Sequence, residues 1–358
     1  MRSRYLTNAL FVLMHALKYK ITKERIPLMV SLGITNLCNM DCPFCYFKDN
    51  RARFSEYSTN ELLDYIDQFF RLGTRIFLLQ GGEPLLRQDL KEVITRIKHR
   101  EAFCRISTNG VLVAQRIDCL TEVDQISFSL DGNQEVADKI RGSGVYQKVL
   151  EGMEEAFKRK IPFEIHASLI RESASNRDSV FHLLELARKF RTTVSFCVSC
   201  VSGAQNTQSV GSADLSAEEI KDFYRFLIRL KKEKYPIGNT FNSLKKSLDW
   251  PISYSEIGFW HNLPVGFRFA PCRHGRLICW LGANHTLLPC PIAFSRQEYE
   301  VPIRNHNIKE AWEELGRRVT CIACSGSDES TSLFNLKMED LISNGLHYFK
   351  HYIMGRKS

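Results

Sequence analysis

Short, largely apolar runs alternate with helical stretches from residue 28 to about residue 200. Runs at 28–35, 76–80, 103–107, 125–130, 163–169 and 193–198 have the length and bounding signals of buried strands. Between them, 61–72, 88–99, 145–160 and 178–190 place apolar residues at helical spacing. The first of these helices is the best marked. Ser58 and Glu61 stand at capping-box spacing, Leu62, Leu63, Ile66 and Phe70 form a stripe, and Gly73 follows as a stop. Strands alternating with helices imply a parallel sheet with right-handed crossovers. Six such units predict an α/β fold, a partial (β/α)6 barrel of the TIM type that does not close. Working residues are then expected at the C-terminal ends of the strands.

The pattern changes on either side. Arg2 and Arg4 precede an apolar run at 5–17, and Lys18, Lys20, Lys23 and Arg25 follow it. The run is shorter than the roughly 18 apolar residues a bilayer span needs, so it reads as an amphipathic helix with basic flanks. Such a helix either lies in a membrane interface or packs on the domain behind it. Residues 201–215 are rich in Ser, Gly, Asn and Gln and read as a loop. A charged helix is expected at 216–234, an aromatic, proline-containing segment at 250–271, and an amphipathic helix at 336–352. The expected organisation is an N-terminal helix (1–24), the barrel (25–215), a helical linker (216–260) and a tail (261–358).

The chain has 358 residues, 44% of them hydrophobic, enough for one large core and a smaller appendage. A net charge of +9 suits anionic membrane surfaces, nucleic acid or acidic substrates without choosing among them, and no nucleic-acid recognition motif is present. Twelve cysteines change the picture more. With no cleavage site after the first apolar run, a reducing cytoplasm is expected, with the inner face of the membrane as the alternative place if the N-terminal helix binds it. There, metal ligation explains clustered cysteines better than disulfides do.

Cys38, Cys42 and Cys45 supply three thiolates within eight residues. One tight loop can turn all three toward one cluster, and a cubane with three protein ligands keeps one iron open to another molecule. Zinc is the other reading, although zinc usually takes a fourth nearby ligand. The Cys-x3-Cys-x2-Cys spacing, with Phe44 just before the third cysteine, resembles the signature loop of the radical S-adenosylmethionine (SAM) superfamily. The resemblance extends to Gly81-Gly82-Glu83-Pro84 after the second strand, Ser107-Thr108-Asn109-Gly110 after the third, Ser127–Gly132 at the end of the fourth, and Ile140-Arg141-Gly142. It covers roughly 28–200. It implies a [4Fe–4S] cluster on the three cysteines, with SAM chelating the open iron. SAM contacts would come from Phe44 beside the adenine, Gly81, Gly82 and Glu83 at the methionine amine, Asn109 in the pocket, Ser129 at the ribose, and Arg141 at the carboxylate.

Farther on, two strands at 276–281 and 286–288 form a hairpin turned at Gly282-Ala283-Asn284-His285, which brings Cys272 and Cys290 to one end. Cys321 and Cys324 follow a helix at 308–315. These four cysteines suit a four-thiolate site, and their spacing does not separate zinc from a second [4Fe–4S] cluster. The tail resembles the small α+β twitch domain of radical SAM dehydrogenases and maturases, which implies one auxiliary [4Fe–4S] cluster. No cysteine follows Cys324, which departs from the larger SPASM version, and His285 stands where the hairpin turn usually has Gly. Cys104, Cys119, Cys197, Cys200 and Cys279 read as core residues, and His166 and His274 as structural histidines.

These features predict an enzyme that cleaves SAM reductively, fed by a donor such as flavodoxin or ferredoxin, with the auxiliary cluster in electron transfer. Its substrate would be a peptide side chain, a sugar alcohol or another small molecule, or a lipid. The competing reading is a non-enzymatic zinc or iron–sulfur protein, and it leaves the Gly-Gly-Glu and Ser-Leu-Asp-Gly segments without a purpose.

Overall fold

The computed structural model describes residues 2–45, 56–198, 215–267, 271–291, 293, 296–325 and 334–336. The chain opens with α1 (Arg2–Thr22), then β1 (Met29–Thr35), α2 (Thr59–Arg71), β2 (Ile76–Gly81), α3 (Leu90–His99) and β3 (Phe103–Thr108). It continues through α4 (Val113–Arg116), β4 (Gln125–Ser129), α5 (Gln134–Arg141), α6 (Val145–Lys158), β5 (Phe163–Leu169), α7 (Arg171–Ser175), α8 (Arg177–Lys189) and β6 (Val194–Val198). Beyond these lie α9 (Ala217–Lys232), α10 (Phe241–Leu248), β7 (Ile257–Gly258), β8 (Ile278–Gly282), β9 (Thr286–Leu288), β10 (Val301–Pro302), α11 (Ile308–Arg318) and β11 (Ala323–Cys324).

All six predicted strands form, and they pair in parallel in sequence order from β1 to β6. This is the partial barrel expected. Its other edge is covered by the tail: β8 runs parallel to β1, from Met29 against Ile278 to Leu32 against Leu281, and β9 and β10 extend the sheet antiparallel. The hairpin thus continues the barrel sheet and satisfies backbone groups that an edge strand would leave bare. Trp280, fully buried, lies across Gly33, where a β-carbon would come within 3.0 Å of its ring.

The capping box of α2 is present in both directions, and Leu62, Leu63, Tyr65, Ile66 and Phe69 face the core. Phe69 takes the inward place expected of Phe70, whose ring instead stacks under the Arg75 guanidinium, 4.1 Å from its carbon. The helix expected at 88–99 starts two residues later. Before it, Pro84–Leu86 makes a 3-10 turn, and Arg87 grips Asp89 through two hydrogen bonds. Apart from Leu336, the expected helix at 336–352 lies outside the described residues, as does nearly all of the 201–215 loop.

Helix α1 packs Ala16 and Tyr19 against Leu28, Met29, Leu277 and Ile278. Met29 and Ile278 open their parallel strands, so α1 covers the N-terminal end of the sheet, opposite the end where the cysteine loop leaves β1. Its other face exposes Leu10, Met14, Leu17 and Ile21. No helix among the described residues is long and apolar enough to cross a membrane.

Candidate metal centre

The loop after β1 is pinned before it reaches its first cysteine. Glu56 Oε1 accepts from Asn36 N at 2.6 Å and from Thr35 Oγ1 at 2.8 Å. From the next strand end, Gly82 N donates to Thr35 O (2.8 Å) and Glu83 N to Leu37 O (2.7 Å). The reason for the two glycines is then direct. A β-carbon on Gly81 would lie 2.3 Å from Thr35 O, and one on Gly82 would lie 2.1 Å from Leu37 O. What approaches the glycines here is the backbone of the cysteine loop.

Cys42 is buried, Cys38 and Cys45 are half-buried, and Cys45 N donates to Cys42 O at 3.2 Å. Two N–H donors reach the sulfurs: Asn109 Nδ2 lies 4.0 Å from Cys38 Sγ, and Arg141 Nη1 lies 3.9 Å from Cys42 Sγ. Burial pushes the Cys42 thiol up, with Arg141 pulling the other way. Three thiols on one loop, of which Cys42 feels the other two, supplied with N–H donors, fit an iron–sulfur cluster, whose potential such hydrogen bonds tune.

Glu83 is fully buried, and its carboxylate faces inward to the chain itself. Oε1 accepts from Leu85 N (3.0 Å) and Thr108 Oγ1 (2.8 Å), while Oε2 accepts from Asn109 N (2.8 Å). Burial raises its pKa and these three bonds oppose the rise. Glu83 therefore sets the turn after β3, and through it Asn109, whose Nδ2 also donates to Asn39 Oδ1 at 2.7 Å.

Arg141, at the end of α5, is buried along its side chain and paired with Asp131, Nε to Oδ2 at 2.6 Å. An exposed arginine at this position is thereby excluded. Asp131 Oδ1 accepts from Ser168 N at 2.8 Å, so the pair ties the ends of β4 and β5 together beneath the cysteine loop. Phe44 lies under the guanidinium, 5.5 Å from ring centroid to Cζ. Ser129 is half-buried at the end of β4, opposite His166 of β5. Every SAM-site residue expected from sequence thus stands at the C-terminal ends of β1 to β4 or on α5. Asp131, Thr108 and Glu56 were missed as supports. A charged residue directly after a strand, bound to be buried, was the available signal for Asp131.

The tail gathers its cysteines from three segments. Cys272 precedes β8 and donates its N–H to Ile322 O at 2.7 Å, Cys290 follows β9, and Cys321 and Cys324 flank Ile322-Ala323. Burial, then Cys324 and Cys321, push the Cys272 thiol up to about 12. Burial likewise raises Cys290, with Cys272, Cys324 and Cys321 adding to it. Four thiols that feel one another, Cys272 and Cys321 buried and Cys290 and Cys324 half-buried, suit a cationic metal centre that takes up their charge. His285 adopts the left-handed backbone that the turn requires, with φ +58°, and donates its N–H to Gly282 O. Cys104 and Cys279 are wholly buried core residues, and Cys119 and Cys197 are half-buried. Cys200 lies outside the described residues.

A partial parallel barrel with three clustered cysteines at the C-terminal end of its first strand defines a class of iron–sulfur enzyme. Residues 32–184 match the Radical SAM superfamily. SAM and a [4Fe–4S] cluster are the family's cofactors. An Fe-coproporphyrin III synthase of Methanosarcina barkeri is 28% identical over 229 residues, 63% of this chain and 56% of that one. The chain spans just over half the length of the first curated relatives it matches. SuiB of Streptococcus suis, bound to precursor peptide SuiA, has the same fold with TM-score 0.63 and 14% identity, over 85% of this chain and 69% of that one. The anSMEcpe structure with bound AdoMet gives 0.60 and 18%, over 82% and 80%.

Proposed function

We propose that this chain is a radical SAM oxidoreductase or maturase with two cubanes. With a [4Fe–4S] cluster on Cys38, Cys42 and Cys45 and SAM on its open iron, an electron from a donor such as flavodoxin or ferredoxin cleaves SAM to methionine and a 5′-deoxyadenosyl radical that takes hydrogen from substrate. Arg141 would offer its remaining N–H groups to the SAM carboxylate, its side chain held by Asp131 through Nε. Glu83 keeps Asn109 turned toward Cys38, the Gly81 and Gly82 backbone borders the methionine amine, and Phe44 and Ser129 flank the adenosine.

In the tail, Cys272, Cys290, Cys321 and Cys324 would hold a second cubane, which would supply an acceptor for the electron left on substrate. The observation that carries the reading is the convergence of Asn109, from the end of β3, and Arg141, from the end of α5, on the sulfurs of one loop.

Iron and sulfide content after anaerobic reconstitution tests it. Intact chain is expected to hold about eight irons and the Cys38→Ala/Cys42→Ala/Cys45→Ala variant about four, with release of 5′-deoxyadenosine lost. About four irons in the intact chain, falling to none, removes the auxiliary cluster and makes zinc the leading occupant of the tail.

For substrate, the fold shared with peptide-bound SuiB supports a peptide side chain. A lipid or another molecule met at a membrane is favoured by one observation, the exposed stripe Leu10, Met14, Leu17 and Ile21 on α1, with Lys18 and Lys20 beside it. Such a face suits the surface of an anionic bilayer, here the inner face of the cytoplasmic membrane. Flotation on anionic liposomes, with and without residues 1–24, decides between them: equal flotation removes the membrane reading.

A further inference from the structure

The β8–β9 turn and the turn before α11 both close on α2, and each brings a histidine. His285 and His306 both hold left-handed backbone, φ +58° and +52°, a region that a β-carbon makes unfavourable. Their rings share one anchor: Tyr65 Oη lies 3.1 Å from His285 Nδ1 and 3.0 Å from His306 Nδ1. On its other side His306 turns Nε2 to within 3.9 Å of Glu61 Oε1. Glu61 Oε2 is already held by Ser58 N and Oγ, at 2.8 and 2.7 Å, which leaves Oε1 to face the rings. Gln68, two turns along α2, donates to His306 O and accepts from Ile308 N, so the His306 turn is clamped in place. The Tyr57 ring stands edge-on to His285 at 4.6 Å. Among the described residues, Glu61, His285 and His306 are the group of three whose ligand atoms all lie within 4.8 Å of one another.

We propose that Glu61, His285 and His306 form a divalent-cation site, distinct from the cysteine centres and suited to zinc. Two imidazoles and one carboxylate make the donor set of a zinc site that leaves a fourth position open, whereas calcium and magnesium favour oxygen alone. Tyr65 is the partner that such histidines need. By accepting Nδ1–H it would fix the tautomer and leave Nε2 for the ion. Bonds of about 2.0–2.2 Å would draw the three ligand atoms inward by about an ångström. The ion would staple the hairpin that leads to Cys290, and the turn that leads to α11, onto the first barrel helix.

The test uses the full-length holoprotein, reconstituted with iron and sulfide and desalted, then titrated with Zn2+ alone. The readings are zinc bound per chain, iron content and Tm. One zinc per chain is expected, with a rise in Tm, and at least tenfold weaker uptake in His306→Ala and Glu61→Gln at unchanged iron. His306 is exposed, and glutamine keeps the capping box, so both variants are expected to fold. No uptake by the intact holoprotein, or uptake that survives in either variant, overturns the site.

Discussion

Gly82→Ala is the sharpest perturbation the cysteine loop offers. Gly82 does not need a left-handed backbone, so the added methyl acts through space alone. Its carbon would meet Leu37 O at 2.1 Å, Leu37 C at 2.6 Å and Asn36 O at 2.8 Å, all backbone atoms one or two residues before Cys38. Ordinary contact requires the Leu37 carbonyl to retreat by more than an ångström. If the loop stays in place, overpacking costs about 1–3 kcal/mol. If it yields, the bonds from Gly82 N to Thr35 O and from Glu83 N to Leu37 O go, at about 1 kcal/mol each. Both figures are below the roughly 5–15 kcal/mol that holds a domain together, so the barrel survives. The cluster is expected to be lost, because the carbonyl that must retreat belongs to the residue before Cys38, while metal–ligand distances are set to within about 0.2 Å. The expected result is a folded protein that has lost about four irons and its release of 5′-deoxyadenosine, with the tail cysteines still loaded. A Gly82→Ala protein with full iron and undiminished SAM cleavage would refute the close approach as the reason for the glycine.

Arg141→Leu leaves Asp131 charged and unpaired in a buried place, which costs about 3–5 kcal/mol; urea denaturation reads the loss, and a midpoint equal to wild type contradicts the pairing. Glu83→Gln keeps the shape but turns an amide against either the Asn109 N–H or the donors on Oε1, at about 1–3 kcal/mol. Tm and SAM turnover should fall together, and an unchanged turnover would detach Glu83 from Asn109. Burial holds His182 below the ordinary histidine range, with Glu185 opposing. The unfolded chain takes up this proton below about pH 6.5 while the native one resists it, so stability is full above that pH and declines as pH falls toward the lower native pKa. His182→Gln should flatten the fall in Tm between pH 7 and 5.5, and an identical slope in the two proteins counts against it.

How much was legible in advance differs with the range of the interaction. The cysteine loop, the glycine pair and the six strands were readable because each depends on spacing within a dozen residues: period-two burial, a cap three residues from its partner, ligands in one turn. Element ends were less so. Arg75 draws Phe70 outward, and the short α5 that carries Arg141 was not foreseen. The sequence by itself determined which residues are candidates to hold iron and where along the chain they occur. Only the tertiary structure decided what supports them. Asn109 and Cys38 are 71 residues apart, Arg141 and Cys42 are 99, and Tyr65 and His306 are 241. Contacts of that kind arise when sheet pairing closes the chain on itself, as when β8 adds to β1, and no local period encodes them.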